Sequence, residues 1–168
     1  SALVDFLTER GCSVRRLVRS CPRGDDVLWA PNRGKIDLEN TGPIDVIINL
    51  AGENIASGRW NKTRKARIAD SRIVGTDLLA GEIARMSRPP KLLISASAVG
   101  YYGHQGDRII DENEPRGSGF LSDVASDWEL ATGPAIDAGL RVVFLRLGLV
   151  LSPSGGALKM MLGPFRWG

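Results

Sequence analysis

The chain has 168 residues, 43% hydrophobic and 24% charged, the composition of one globular domain with its own core. No apolar run approaches the ~20 residues of a membrane-spanning helix. Cys12 and Cys21 lack CxxC spacing and His104 is the only histidine, which argues against a metal site and for reduced thiols in a cytoplasmic setting.

The net charge of +3 is gathered into two clusters, one of Arg15, Arg16, Arg19 and Arg23, the other of Lys62, Arg64, Lys65, Arg67 and Arg72. Such clusters are solvated helix faces or sites for a phosphate-bearing ligand. No nucleic-acid reading motif and no interleaved aromatics accompany them, so a cofactor is the expected partner and nucleic acid is not.

In chain order, residues 2–10 place Leu3, Phe6 and Leu7 on one helical face, with Gly11 as C-cap. Residues 13–18 read as a strand ending in Arg19 and Ser20, residues 27–29 as a short strand ended by Pro31, and the stretch to Pro43 as turn-rich. The β-branched run of residues 44–50 predicts a buried strand that finishes in small and polar residues. Asn61 can N-cap a long helix reaching Arg85, in which Ala66, Ala69, Ile73, Leu78 and Ile83 recur at helical spacing. Gly75 inside it weakens the helix by roughly 1 kcal/mol relative to alanine, so close packing against a neighbour is the expected compensation.

Pro89 and Pro90 end that helix, and Leu92, Leu93 and Ile94 open the strand around which the chain is organised. It ends in Ser95, Ala96, Ser97, Ala98 and Gly100, followed by Tyr101 and Tyr102. A buried parallel strand ending this way delivers hydroxyls to the carboxyl edge of the sheet, where open α/β folds bind ligands. Ser97 and Tyr101 are therefore the candidates for chemistry, against the alternative that the small residues only permit a tight turn and the tyrosines pack. An acidic loop follows, then a helix from Phe120 to about Thr132, where Pro134 either interrupts it or starts a second short turn, a strand over residues 141–147, a loop to Gly156 and a final helix over 157–162. The alternation predicts an α/β doubly wound parallel sheet with right-handed crossovers.

Such a sheet opens with a strand and a glycine-rich turn, whereas this sequence begins inside a helix. A single domain truncated at both ends is the expectation. Loss of the first strand would leave two half-sheets without their shared neighbour.

The ordered set LVRS (17–20), INLAGENI (48–55), RW (59–60), SRIVGT (71–76), SASAVGYYG (95–103), DWE (127–129) and LRLGLVLSPSGGA (145–157) resembles the short-chain dehydrogenase/reductase superfamily. More narrowly it is similar to the atypical epimerase branch, the nucleoside-diphosphate-sugar epimerase-like proteins. The resemblance implies a Rossmann-type domain that binds NADP(H) through Val18, Arg19, Leu50, Ala51, Gly52, Arg67, Arg72 and Val150. Arg19 matches the position that meets the adenosine 2′-phosphate, where a guanidinium suits a dianion. Leu50 and Ala51 match the stretch beside the ribose and pyrophosphate, Val150 flanks the nicotinamide, and Arg72 occupies the place of an active-site asparagine.

By the same resemblance Ser97 is the hydroxyl that bonds the substrate oxygen. Standard members add a tyrosine and, four residues later, a lysine that lowers its pKa. Those two positions fall at Leu121 and Ala125, which do no acid/base chemistry. Tyr101 is then a substitute acid, and Glu53 either approaches the site or holds the loop carrying Trp60. Two readings compete: an NADP(H)-dependent oxidoreductase or epimerase acting on a small polar or sugar-nucleotide substrate, and an NADP(H)-binding regulatory or scaffold protein without turnover. Pairing of two copies through the two long helices is a third expectation, by analogy with epimerase-type relatives.

Overall fold

The computed structural model describes residues 1–38, 41–56, 58–153 and 155–167. In chain order they form α1 (Ala2–Glu9), β1 (Leu17–Val18), β2 (Val27–Ala30), β3 (Lys35–Ile36), β4 (Val46–Asn49), α2 (Lys62–Arg85), β5 (Leu92–Ala98), α3 (Phe120–Leu130), α4 (Gly133–Asp137), β6 (Arg141–Leu147) and α5 (Gly156–Trp167). The architecture is α/β, with parallel pairing of β1 to β2, β4 to β5 and β5 to β6.

The strands fall into two three-stranded sheets, β1-β2-β3 and β4-β5-β6, and among the described residues no ladder joins β1 to β4. The halves share one core. Leu38, Ile47, Leu79, Ala80, Ile83, Leu93 and Ala135 are buried together, and Leu17 of β1 and Ile36 of β3 pack against them beside Ile44 and Val142. Helix α2 is the common floor: its apolar side faces both half-sheets, and burial of that side rather than propensity holds a helix of 24 residues containing two glycines. Asn61 caps it as expected, its Oδ1 accepting from the Arg64 N–H at 2.8 Å.

Three elements differ from the sequence reading. Only Leu17 and Val18 of the expected strand over 13–18 pair with β2. The stretch read as turn-rich contains β3, which runs antiparallel to β2 with Trp29 opposite Ile36, across a turn closed by Gly34 at φ +58°. The first sheet is therefore mixed. The last helix extends to Trp167, with Pro164 inside it. Pro134 lies in the first turn of α4, where its missing N–H costs nothing.

Gly75 has the close neighbour its position demanded. A Cβ built there would lie 2.9 Å from Cζ2 of Trp29, so the buried indole of β2 rests directly on the α2 backbone. After β5 a single 3-10 turn (Val99–Tyr102) leads into a loop that returns to its own start. The Gly117 N–H donates to the Tyr101 carbonyl at 2.9 Å, and a Cβ on Gly117 would fall 2.1 Å from the Tyr102 carbonyl oxygen.

Candidate functional site

Side chains alternate along β5, so Leu93, Ser95 and Ser97 share the face that meets the helices. Ser97 is 3% exposed and its hydroxyl donates to Glu129 Oε1 of α3 at 2.6 Å. Arg146 stands directly opposite Ser97 on β6 and grips the same carboxylate with both arms, Nε to Oε1 at 2.8 Å and Nη2 to Oε2 at 2.9 Å. Its third nitrogen, Nη1, donates to the Tyr102 hydroxyl at 2.8 Å and to the Glu112 carbonyl at 3.3 Å. The guanidinium carbon also lies 3.6 Å from the centre of the Tyr101 ring. Hydrogen bonding to Glu129, with further support from Tyr102, holds the guanidinium above its ordinary value against the pull of desolvation, so it stays charged.

Leu121, Ala125 and Glu129 recur at four-residue spacing on α3 and so lie along one stripe of the helix. The first two carry no acid or base. The third, one turn deeper, brings a carboxylate to Ser97. Leu121 instead packs near Gly100, where a Cβ would come within 3.3 Å of the Leu121 Cβ. Glu129 and Arg146 had no role in the sequence reading, although two signals were present: the four-residue spacing from Ala125, and a guanidinium at an inward position of a strand otherwise rich in apolar residues.

The carboxyl end of β4 forms a second group. Asn49 is buried, its Nδ2 donating to Thr76 Oγ1 at 2.8 Å while its Oδ1 accepts from the Ala51 N–H at 3.2 Å. Trp128 of α3 donates to the same Thr76 oxygen at 2.9 Å, which locks β4, α2 and α3 together. Leu50 is half-exposed, and Gly52 lies against the Arg72 guanidinium, whose carbon would be 3.0 Å from a Cβ there.

Arg72 donates to the Ile68 and Glu53 carbonyls at 3.0 and 3.1 Å and sits 5.1 Å over the Trp128 ring. Desolvation pulls this guanidinium down, with Glu53 opposing the shift. Glu53 is gripped by Arg64 and, at 2.7 Å, by the exposed Arg67. Trp60 Nε1 donates to the Ile55 carbonyl at 2.8 Å and its ring meets Phe120 edge-on at 5.6 Å. Glu53 thus holds the loop that carries Trp60, the structural alternative left open by the sequence.

Ser97 and Tyr101 are brought together through Arg146, and Gly52, Arg67 and Arg72 through the Glu53 loop. Val18 is half-buried in β1, and Arg19 beyond it is exposed with no hydrogen bond or ion pair among the described residues. Val150 stands 68% exposed between the exposed Leu149 and Leu151.

Residues 1–162 match the NAD dependent epimerase/dehydratase family. The chain belongs to this family. It is 44% identical over 162 residues to the epimerase family protein Mb2239 of Mycobacterium bovis, covering 96% of this chain and 53% of that protein. The crystal structure of human epimerase family protein SDR39U1 (isoform 2) with NADPH superimposes with a TM-score of 0.86 at 35% identity, covering 99% of this chain and 56% of that one. The nucleoside-diphosphate sugar epimerase of Corynebacterium glutamicum gives a TM-score of 0.84 at 38% identity, covering 99% of this chain and 35% of that one. The fold is thus the Rossmann-type fold of the atypical epimerase branch, and this family member spans about half the length of the curated relatives it matches. Among its described residues no helix is long and apolar enough to cross a membrane.

Proposed function

We propose that this chain carries the NADP(H) site of an oxidoreductase or epimerase-like protein that acts on a small polar or sugar-nucleotide substrate. The observation that carries the reading is Arg19: a guanidinium with no partner among the described residues at the carboxyl end of β1, where an adenosine 2′-phosphate would supply its counter-charge. The human relative solved with NADPH supports it. Bound NADP(H) supplies the hydride donor or acceptor of such a reaction.

Within this reading the backbone of Leu50, Ala51 and Gly52 runs beside the cofactor and Val150 flanks its nicotinamide. Arg72 fixes that backbone through the Glu53 carbonyl rather than reaching outward. Ser97 touches the substrate oxygen and Tyr101 stands as proton donor in place of the residues missing at 121 and 125. A second reading, cofactor binding without turnover, is favoured by one observation: the hydroxyl proton of Ser97 is committed to Glu129.

Fluorescence titration of the full-length protein with NADPH and NADH, beside its Arg19→Ala variant, tests the proposal. Tight NADPH binding that weakens selectively in the variant is the expected result. Failure of either nucleotide to bind at millimolar concentration overturns it.

A further inference from the structure

We infer that the Glu129–Arg146 ion pair keeps the site from favouring either oxidised or reduced nicotinamide electrostatically, by holding the charge beside Ser97 balanced. This rests on the proposed NADP(H) reading. The pair touches Ser97 on two sides, Glu129 through a 2.6 Å hydrogen bond and Arg146 as its cross-strand neighbour. Its side chains are only 10% and 18% exposed, so solvent screens them weakly. Two parallel hydrogen bonds lock the charges face to face, and at a distance they offset one another. No other carboxylate or basic side chain bonds to this pair among the described residues; its further contacts include the Tyr102 hydroxyl and ring, the Glu112 carbonyl and the Tyr101 ring.

An oxidised nicotinamide ring carries a positive charge that the reduced ring lacks. Beside an intact pair the two forms meet nearly the same potential. Removal of one partner leaves a buried unit charge, and the sign of that charge decides which form is favoured. This separates an electrostatic role from a merely structural one, because loss of packing would weaken both forms together.

The test measures dissociation constants of NADP+ and NADPH on the full-length protein. Glu129→Gln keeps the shape and an acceptor for Ser97 but leaves Arg146 uncompensated, so the NADP+/NADPH ratio of dissociation constants should rise about tenfold. Arg146→Met leaves Glu129 uncompensated, and the ratio should fall about tenfold. Arg146→Lys retains the charge while losing the two-armed grip, and its ratio should stay within about twofold of the unaltered protein.

Ratios that move in the same direction in Glu129→Gln and Arg146→Met, or do not move, overturn the inference. If Arg146→Met does not fold, the contrast between Glu129→Gln and Arg146→Lys decides alone. Absence of binding to the unaltered protein removes the cofactor reading itself, whereas binding with unmoved ratios removes only this inference.

Discussion

The indole of Trp29 lies on the backbone of Gly75, with Cζ2 2.9 Å from where a Cβ would stand. This contact joins the first half-sheet to the helix that floors the second. Alanine at position 75 would gain up to about 1 kcal/mol of helix propensity. It would also drive a methyl group into a buried ring that has no free side, a cost of about 1–3 kcal/mol. The overlap is expected to win, and Gly75→Ala should lower the urea midpoint. A variant as stable as the parent would mean that the indole moves freely.

Thr76 gives a second test of the same interior. Its hydroxyl oxygen accepts from both Asn49 and Trp128, and all three groups are buried. Thr76→Val preserves the shape but strands two donors, at about 1–3 kcal/mol each. Thr76→Ser keeps the oxygen and loses one methyl, for about 1 kcal/mol. Chemical denaturation should rank the serine variant well above the valine variant; the reverse order would show that packing, not hydrogen bonding, governs the site.

Arg72 is expected to act through the loop after β4. Its guanidinium spans the Ile68 and Glu53 carbonyls and covers Trp128, a reach that lysine cannot reproduce with one ammonium group. Arg72→Lys should speed amide hydrogen exchange over residues 52–56 while leaving β5 and β6 protected. Uniform loss of protection across the molecule would instead mark Arg72 as a general stability residue.

Acid sensitivity should trace in part to Asp26. Two 2.9 Å hydrogen bonds from Arg16 hold its carboxyl below the ordinary carboxylate range, with a backbone bond from Arg23 adding to the effect. The folded protein therefore takes up this proton less readily than the unfolded chain. The contribution is present above the ordinary value near 4 and is lost as pH falls through the depressed one. Asp26→Asn should be less stable than the parent at pH 7, and the gap should close as pH drops below about 4. A gap independent of pH would assign the effect to geometry alone.

Much of the fold was legible because it follows from local pattern: the β-branched run before Asn49, the apolar opening of β5, the N-cap at Asn61 and the demand Gly75 makes on a neighbour. The short elements were not. Lys35 and Ile36 are strand only because Ala30 and Trp29 lie opposite them, and residues 13–15 carry a strand composition without a ladder partner among the described residues. At the site, Ser97 and Tyr101 could be placed from the end of β5 alone. Glu129 and Arg146 could not, since their meeting depends on the register of β6 against β5 and on the rotation of α3, neither of which is written in a local stretch of chain.

Gly117 fastens the end of the 103–117 loop to its beginning, so tightly that no other residue fits against the Tyr102 carbonyl. The strand that carries Ser97 and the helix that carries Glu129 therefore meet across a closed buckle rather than through the loop between. Residues can be added to or taken from the exposed tip near Gly106 and Asp107 without opening that buckle, whereas Glu112, whose carbonyl accepts from Arg146, must keep its place. Within one scaffold, the tip of the rim is free to diversify while the contacts of Ser97, Glu129 and Arg146 beneath it stay fixed.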